Sequence, residues 1–154
     1  MMRKTDEEAV ALFVRADVLY QSGKQEESLP LFRQAAELGH PEAISTLGGF
    51  YMNGHLVEKD VQKGVMLLEN AAQLNDQIGM TWMAGVFIDG NEVLPRSPEK
   101  AAYWTGRYLM EYGDLITAKE LLDRIVSTYE SAKAYFQSML KRGAYVDPAL
   151  PDDT

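Results

Sequence analysis

The strongest constraint on the fold of this chain is an internal repeat built from two interleaved series. An aromatic residue three positions before a glycine recurs at 19–23, 50–54 and 86–90. A second series, apolar residues followed by small ones, recurs at 31–39 and 67–75 and more loosely at 104–112. Periods of this length are typical of proteins that stack one supersecondary unit. The sequence therefore predicts about four repeats, with a degenerate fourth copy over 115–143.

The apolar spacing inside each copy predicts helices. Apolar residues recur every three to four positions, as in Ile44, Leu47 and Phe50, which is the pattern of an amphipathic helix. No stretch alternates convincingly with period two. Asp60 and the Ser97-Pro98 pair are suitable helix starts. We therefore predict an all-α chain in which each repeat is a helix-turn-helix pair.

Length and composition bound the number of domains. The chain has 154 residues, of which 46% are hydrophobic and 25% charged. This is enough for one compact domain with a core and too little for two ordinary ones. We expect a single domain over 1–146 and a frayed tail over 147–154.

Charge and polarity narrow the partners and the compartment. Fifteen basic residues against 23 acidic ones give a net charge of -8, which disfavours nucleic acid and anionic lipid surfaces. The N-terminal residues are acidic where a signal peptide is apolar, and no run is long enough to span a bilayer. We expect a cytoplasmic protein with no membrane insertion, unless a leader has been removed.

The residues that could carry catalysis or bind a metal are few. The chain has no cysteine and two histidines, His40 in a predicted turn and His55 in a predicted loop. They have no zinc-type spacing, and Gly48-Gly49 lacks the strand and lysine of a phosphate-binding loop. The carboxylates are spread along helix surfaces. We expect a non-enzymatic protein with no cofactor and no metal site.

The second repeat carries a family resemblance. It combines a Leu-Gly pair and a Phe-Tyr pair in its first helix with a loop valine and aspartate and with paired alanines in its second helix. These residues are Ala43, Leu47-Gly48, Phe50-Tyr51, Gly54, Val57, Asp60, Lys63-Gly64 and Ala71-Ala72. The segment resembles a Sel1-like repeat, a relative of the tetratricopeptide repeat with a longer loop. The third repeat is similar over 84–90 and 98–104, and the resemblance covers about residues 9–112.

The resemblance implies a right-handed α/α superhelix with a concave groove. It places small residues, Gly48 against Gly64 and Ala84 against Ala101, where the two helices of a repeat meet. It also assigns core positions to aromatic residues. These are Tyr20, Tyr51, Phe87 and Trp104.

In tetratricopeptide-like proteins the first helix of each pair lines the groove, so the resemblance also implies contact residues. The aligned positions form three rows across the repeats. These are Val14, Ser45, Thr81 and Lys119; Val18, Gly49, Gly85 and Asp123; and Gln21, Met52, Ile88 and Val126. Trp82 has no counterpart of its size in the other copies, so we consider both partial burial and a binding role for it.

Two of these groove positions are glycines in consecutive repeats. A glycine inside a helix costs about 1 kcal/mol relative to alanine. Gly49 and Gly85 therefore admit the close approach of a bound segment or relieve crowding by a neighbouring helix. Lys119 is alone in its row, so the groove lacks the basic cluster that carboxylate-clamp relatives use. An apolar, small-residue contact with a peptide is the better expectation.

Three functions are compatible with these features. The first is an adaptor or scaffold that binds a protein or peptide in its concave groove. The second is an immunity or inhibitor protein whose acidic surface covers a basic toxin or effector. The third is a hydrolase acting on cell-wall material, retained because bacterial relatives often work near the envelope. The oligomeric state stays open.

Overall fold

The computed structural model describes residues 4–128 and residue 137, and that part of the chain is helical. It forms seven α-helices, and no β-strand occurs among the described residues. They are α1 (Lys4–Gln21), α2 (Gln25–Glu37), α3 (Pro41–Asn53), α4 (Val61–Gln73), α5 (Gln77–Asp89), α6 (Pro98–Tyr112) and α7 (Leu115–Thr128). The predicted all-α class of paired helices is confirmed. The second helix of the degenerate fourth copy and the tail over 147–154 lie outside the described residues.

The chain divides into two compact units, Met1–Gly79 and Met80–Thr154. The boundary falls within α5. Unit 1 holds the helix pairs α1–α2 and α3–α4, with α2 also packed on α3. In unit 2, α6 packs on α7.

The helix ends follow the capping residues in the sequence. The Asp60 carboxylate accepts a hydrogen bond from the Lys63 amide at 2.9 Å at the start of α4. The Ser97 hydroxyl accepts a hydrogen bond from the Lys100 backbone amide at the start of α6, where Pro98 occupies the first turn. Both caps satisfy backbone donors that the helix leaves unpaired. Gly54 ends α3 with a φ of 69°, a left-handed conformation that side chains disfavour.

In unit 1, α3 and α4 approach closely at small residues, as predicted. A Cβ atom added at Gly48 would lie 2.7 Å from Leu68 Cγ and 3.2 Å from the Gly64 carbonyl oxygen. A Cβ atom at Gly64 would lie 2.7 Å from Met52 Cγ. Neither position has room for a methyl group without displacement of its neighbour.

An aromatic cluster fills the space between α1, α2 and α3. Phe32 is buried, and its ring centroid lies 5.9 Å from that of Phe13 and 5.9 Å from that of Phe50. Tyr20 stacks on Phe50 at 5.8 Å, which confirms its predicted packing role. Edge-to-face and offset contacts of this kind stabilise a core beyond the area that they bury.

Both histidines belong to this cluster. The His40 ring stacks on Phe13 at 4.5 Å, and its Nδ1 accepts a hydrogen bond from the Ala43 amide at the start of α3. His55 Nε2 lies 3.1 Å from the Tyr20 hydroxyl. Burial lowers the pKa of His40, although the charges of Glu42 and Asp76 act in the opposite direction. These contacts give both histidines a structural role in unit 1.

Unit 2 is organised around buried residues of α6 and α7. Trp104 is 4% exposed, Ile125 is 1% exposed and Tyr108 is fully buried. The Tyr108 hydroxyl donates to Asp114 at 2.7 Å, and the same carboxylate caps α7. Hydrogen bonds from Thr117 and Tyr108 lower the pKa of Asp114 to about 2. Trp104 and Phe87 are core residues, as their family positions implied.

Candidate interaction surface

The predicted contact residues on α1 lie on an exposed apolar stripe. Val14 is 52% exposed and Val18 is 61% exposed. Val10, 41% exposed, extends the same stripe and was missed by the sequence analysis, although its four-residue spacing from Val14 gave a usable signal. Gln21, also predicted, is exposed and donates to Asp17 on the same helix. Three β-branched apolar side chains on one helix face are available for contact in unit 1.

On α3 the structure separates the three predicted residues. Gly49 is half-buried, and a Cβ atom added to it would meet nothing within 4 Å. Met52 is half-buried, with its side chain against Gly64. Ser45 is only 1% exposed, and its hydroxyl donates to the Glu42 carbonyl of its own helix. Its placement among the contact residues is corrected, because a buried side chain that is already hydrogen-bonded offers nothing to a partner.

In unit 2 the predicted residues of α5 divide in a similar way. Gly85 is half-buried and would have nothing within 4 Å of an added Cβ atom. Trp82 and Thr81 are both half-buried, so Trp82 shows the partial burial that was one of its two alternatives. Ile88 is 1% exposed. Its placement among the contact residues is corrected, like that of Ser45, because its side chain is in the core.

Lys119 on α7 is exposed but its charge is engaged. Its ammonium group pairs with Asp123 one turn later on the same helix. This hydrogen bond raises the pKa of Lys119. The pair is on a surface where such interactions contribute little to stability. Lys119 therefore presents a neutralised pair to a ligand instead of a free cation.

The surroundings of Gly49 and Gly85 decide between the two interpretations of these glycines. Crowding by a neighbouring helix is wrong for both, since nothing in the described part of the chain would lie within 4 Å of an added Cβ atom. Gly48, one residue before Gly49, is crowded in this way, because a Cβ atom added there would lie 2.7 Å from Leu68 Cγ. The other interpretation, close approach by a bound segment, agrees with this geometry.

Within the ranges that the structure describes, no three His, Asp or Glu side chains are grouped to hold a metal ion. None of the helices in those ranges is both long and apolar enough to cross a bilayer.

Comparison with known proteins places the chain in a family. The Sel1 repeat model matches at 19–40, 41–76 and 78–107, more than half of the chain. The protein belongs to the Sel1 repeat family, whose helical repeats generally mediate contacts between proteins and are typically non-catalytic. The family match covers the second and third predicted repeats and most of the first.

Two solved structures share the fold. The Sel1 repeat protein from Oxalobacter formigenes is 21% identical with a TM-score of 0.67, over 94% of this chain and 63% of that one. A protective antigen of uropathogenic Escherichia coli strains, described as displaying an SLR fold, is 18% identical with a TM-score of 0.62. That match covers 90% of this chain and 34% of the antigen. The chain thus spans less than two thirds of either structure, and a search of curated proteins gives no match.

Proposed function

We propose that this protein is a non-enzymatic adaptor that binds a protein or peptide segment on the first helices of its repeats. In unit 1 the contact surface comprises Val14, Val18 and Gln21 of α1 with Gly49 and Met52 of α3; we call it the α1–α3 surface. In unit 2 the corresponding residues are Thr81, Trp82 and Gly85 of α5, with Lys119 of α7. The expected location is the cytoplasm.

One observation carries the proposal: Gly49 and Gly85 are interior helix residues with open space beyond them. Each lowers helix stability by about 1 kcal/mol relative to alanine. Gly48, Gly64 and Gly79 are compensated by close helix packing, because a Cβ atom at each would meet a neighbour within 3.0 Å. Gly49 and Gly85 have no such compensation from the residues that the structure describes. The close approach of a bound backbone at these two positions explains why they are glycine.

The exposed valines give the bound segment its apolar contacts. Val14 and Val18 lie one turn apart on α1 and keep more than half of their surface in water. Complete burial from full exposure contributes about 1.5–3 kcal/mol for a side chain of this kind, so the remaining exposed surface of each valine offers about half of that. In unit 2 the one cation among the proposed contact residues, Lys119, is paired with Asp123. Apolar contact and backbone approach are therefore the expected mode of recognition.

Graded substitutions at the two glycines test the proposal. Gly49→Gln and Gly85→Gln fill the open space, whereas Gly49→Ala and Gly85→Ala add only a methyl group. Pull-down from the native lysate with all four variants and the wild type should show loss of the partner with glutamine and partial loss with alanine, because even a methyl group obstructs a closely approaching backbone. Melting temperatures of the glutamine variants should not fall, since glutamine is the better helix former. Equal recovery by all five proteins would refute contact at these glycines.

An immunity or inhibitor protein is the second candidate function. The net charge of -8 favours it, since an acidic surface accelerates association with a basic toxin or effector. In that case the captured partner should be basic and should dissociate at about 0.5 M salt, where exposed charges are strongly screened. Retention at that salt concentration favours the adaptor. Nothing observed in the described residues supports the envelope hydrolase, and we do not propose it.

A further inference from the structure

A pocket in unit 1 lies on a different side of α3 from Gly49. It has a volume of about 270 Å³ and is lined by residues of α2, α3 and α4. Leu47 and Tyr51, its α3 residues nearest to Gly49 in the sequence, are each two positions away, which is about 200° around a helix. The pocket is therefore separate from the α1–α3 surface, and we call it the α2–α4 pocket.

The base of this pocket is apolar. Ile44 and Leu47 of α3 are buried, and Leu67 of α4 is half-buried beside them. The volume is just below the range of about 300–1,000 Å³ that sites for drug-sized ligands occupy. The space suits a few side chains of a peptide better than an enclosed small molecule.

Two cations converge at the rim of the pocket. Lys63 Nζ donates to the Tyr51 hydroxyl at 3.0 Å and lies 4.2 Å from the centre of its ring. Arg33 of α2 lines the same pocket, and its positive charge acts on this hydroxyl. The hydrogen bond from Lys63, reinforced by the charges of Lys63 and Arg33, lowers the pKa of Tyr51. Among the described residues, neither Arg33 nor Lys63 forms an ion pair with a carboxylate.

The arrangement places two positive charges at one pocket, where the acceptor of Lys63 is a neutral hydroxyl. Glu37 also lines the pocket, one turn after Arg33 on α2, so the three charged residues carry a net charge of +1 in a chain of -8. A carboxylate placed between Arg33 and Lys63 would accept charge-assisted hydrogen bonds, which are roughly twice as strong as those to a neutral oxygen. The guanidinium group of Arg33 presents paired donors that match a carboxylate.

We propose that the α2–α4 pocket binds an acidic side chain of a partner protein, with an adjacent aliphatic side chain resting on Ile44, Leu47 and Leu67. The carboxylate of a glutamate or aspartate is held by Arg33 and Lys63, beside the Tyr51 hydroxyl that accepts from Lys63. Glu37 opposes the acidic residue and limits its affinity. This inference does not depend on the α1–α3 surface and adds a second recognition point to the same unit.

The direct test uses a blocked tripeptide, acetyl-Leu-Glu-Leu-amide, and its matched analogue with glutamine in place of glutamate. Each is titrated into the full ¹⁵N-labelled chain, and chemical shifts are followed for the Leu47 and Leu67 amides and the Asn70 side chain. The glutamate peptide should shift these signals. The glutamine peptide should bind about tenfold more weakly, the loss expected for a hydrogen-bonded charge.

Variants of the pocket separate charge recognition from apolar contact. Arg33→Met and Lys63→Met keep the aliphatic stems and should each weaken the glutamate peptide about tenfold, whereas Glu37→Gln should strengthen it. Lys24→Met removes an exposed charge outside the pocket and should change nothing, and Gly49→Gln should leave peptide affinity intact. Equal binding of the two peptides, no effect of Arg33→Met and Lys63→Met, or shifts confined to other residues would overturn the proposal. Loss of partner capture by Gly49→Gln with normal peptide affinity would leave both proposals standing on separate surfaces.

Discussion

Gly48 and Gly49 are adjacent in α3 but face opposite surroundings: a Cβ atom at Gly48 would lie 2.7 Å from Leu68 Cγ, whereas one at Gly49 would meet nothing within 4 Å. Position 48 requires a glycine because α4 packs closely against it. No contact within the described residues requires a glycine at position 49. This difference between neighbours supports our assignment of Gly49 to a binding surface.

Alanine substitutions at these two glycines should change stability in opposite directions. Gly49→Ala should raise the free energy of unfolding by about 0.5–1 kcal/mol, because alanine is the better helix former and the added methyl group has room. Gly48→Ala should lower it by about 1–3 kcal/mol, the usual effect of overpacking a close helix contact. Urea unfolding of both variants measures the difference. Equal effects would show that the two positions are equivalent.

Trp104 should be among the largest single contributors to the stability of unit 2. It is 4% exposed, so Trp104→Ala should cost about 3–5 kcal/mol. Trp82→Ala is the matched control, since the same side chain is removed from a half-buried position and the loss should be smaller. Denaturant unfolding monitored by circular dichroism checks both. An unchanged midpoint for Trp104→Ala would contradict the observed burial.

Stability should fall in mild acid through His40. Burial lowers its pKa in the folded state below 6.5, so the unfolded chain takes up the proton first. This contribution to stability is fully present above pH 6.5 and is lost as the pH falls from there through the lowered pKa. The protonated ring also cannot accept the hydrogen bond from the Ala43 amide.

The matched variant is His40→Asn, which keeps a helix-capping acceptor and removes the titration. Unfolding free energies at pH 8, 7, 6 and 5.5 should decline for the wild type and decline less steeply for the variant. Parallel curves for the two proteins would assign the acid sensitivity to other groups.

The helices and their ends were predictable because they depend on local residues. Asp60 and Ser97 are short acceptor side chains at the start of an amphipathic segment, and capping needs only a donor three residues later. The close contact of Gly48 with Gly64 also followed from the family pattern. These features are encoded within a single repeat.

The accessible residues were harder to predict because periodicity gives a direction around a helix but not the depth of burial. Ser45 and Gly49 are one turn apart on α3, yet Ser45 is buried and its hydroxyl is satisfied by its own helix. Ile88 has the same ambiguity, since an apolar residue is equally compatible with a core and with an interface. Arg33 and Lys63 are 30 residues apart in the sequence, and only the packing of α2, α3 and α4 brings them to one pocket.

The most direct test of the account is site-specific photocrosslinking from the α1–α3 surface. The chain has no cysteine, so a single introduced cysteine carries a thiol-reactive photocrosslinker at one known position. Val18→Cys probes the proposed surface, and Met66→Cys on α4 is the matched control, because the two side chains are 61% and 65% exposed. After irradiation in the native lysate, we expect a discrete adduct from Val18→Cys that is lost when Gly49→Gln is added, and none from Met66→Cys. Equal adducts from both positions, or an adduct from Met66→Cys alone, would contradict partner binding on the α1–α3 surface.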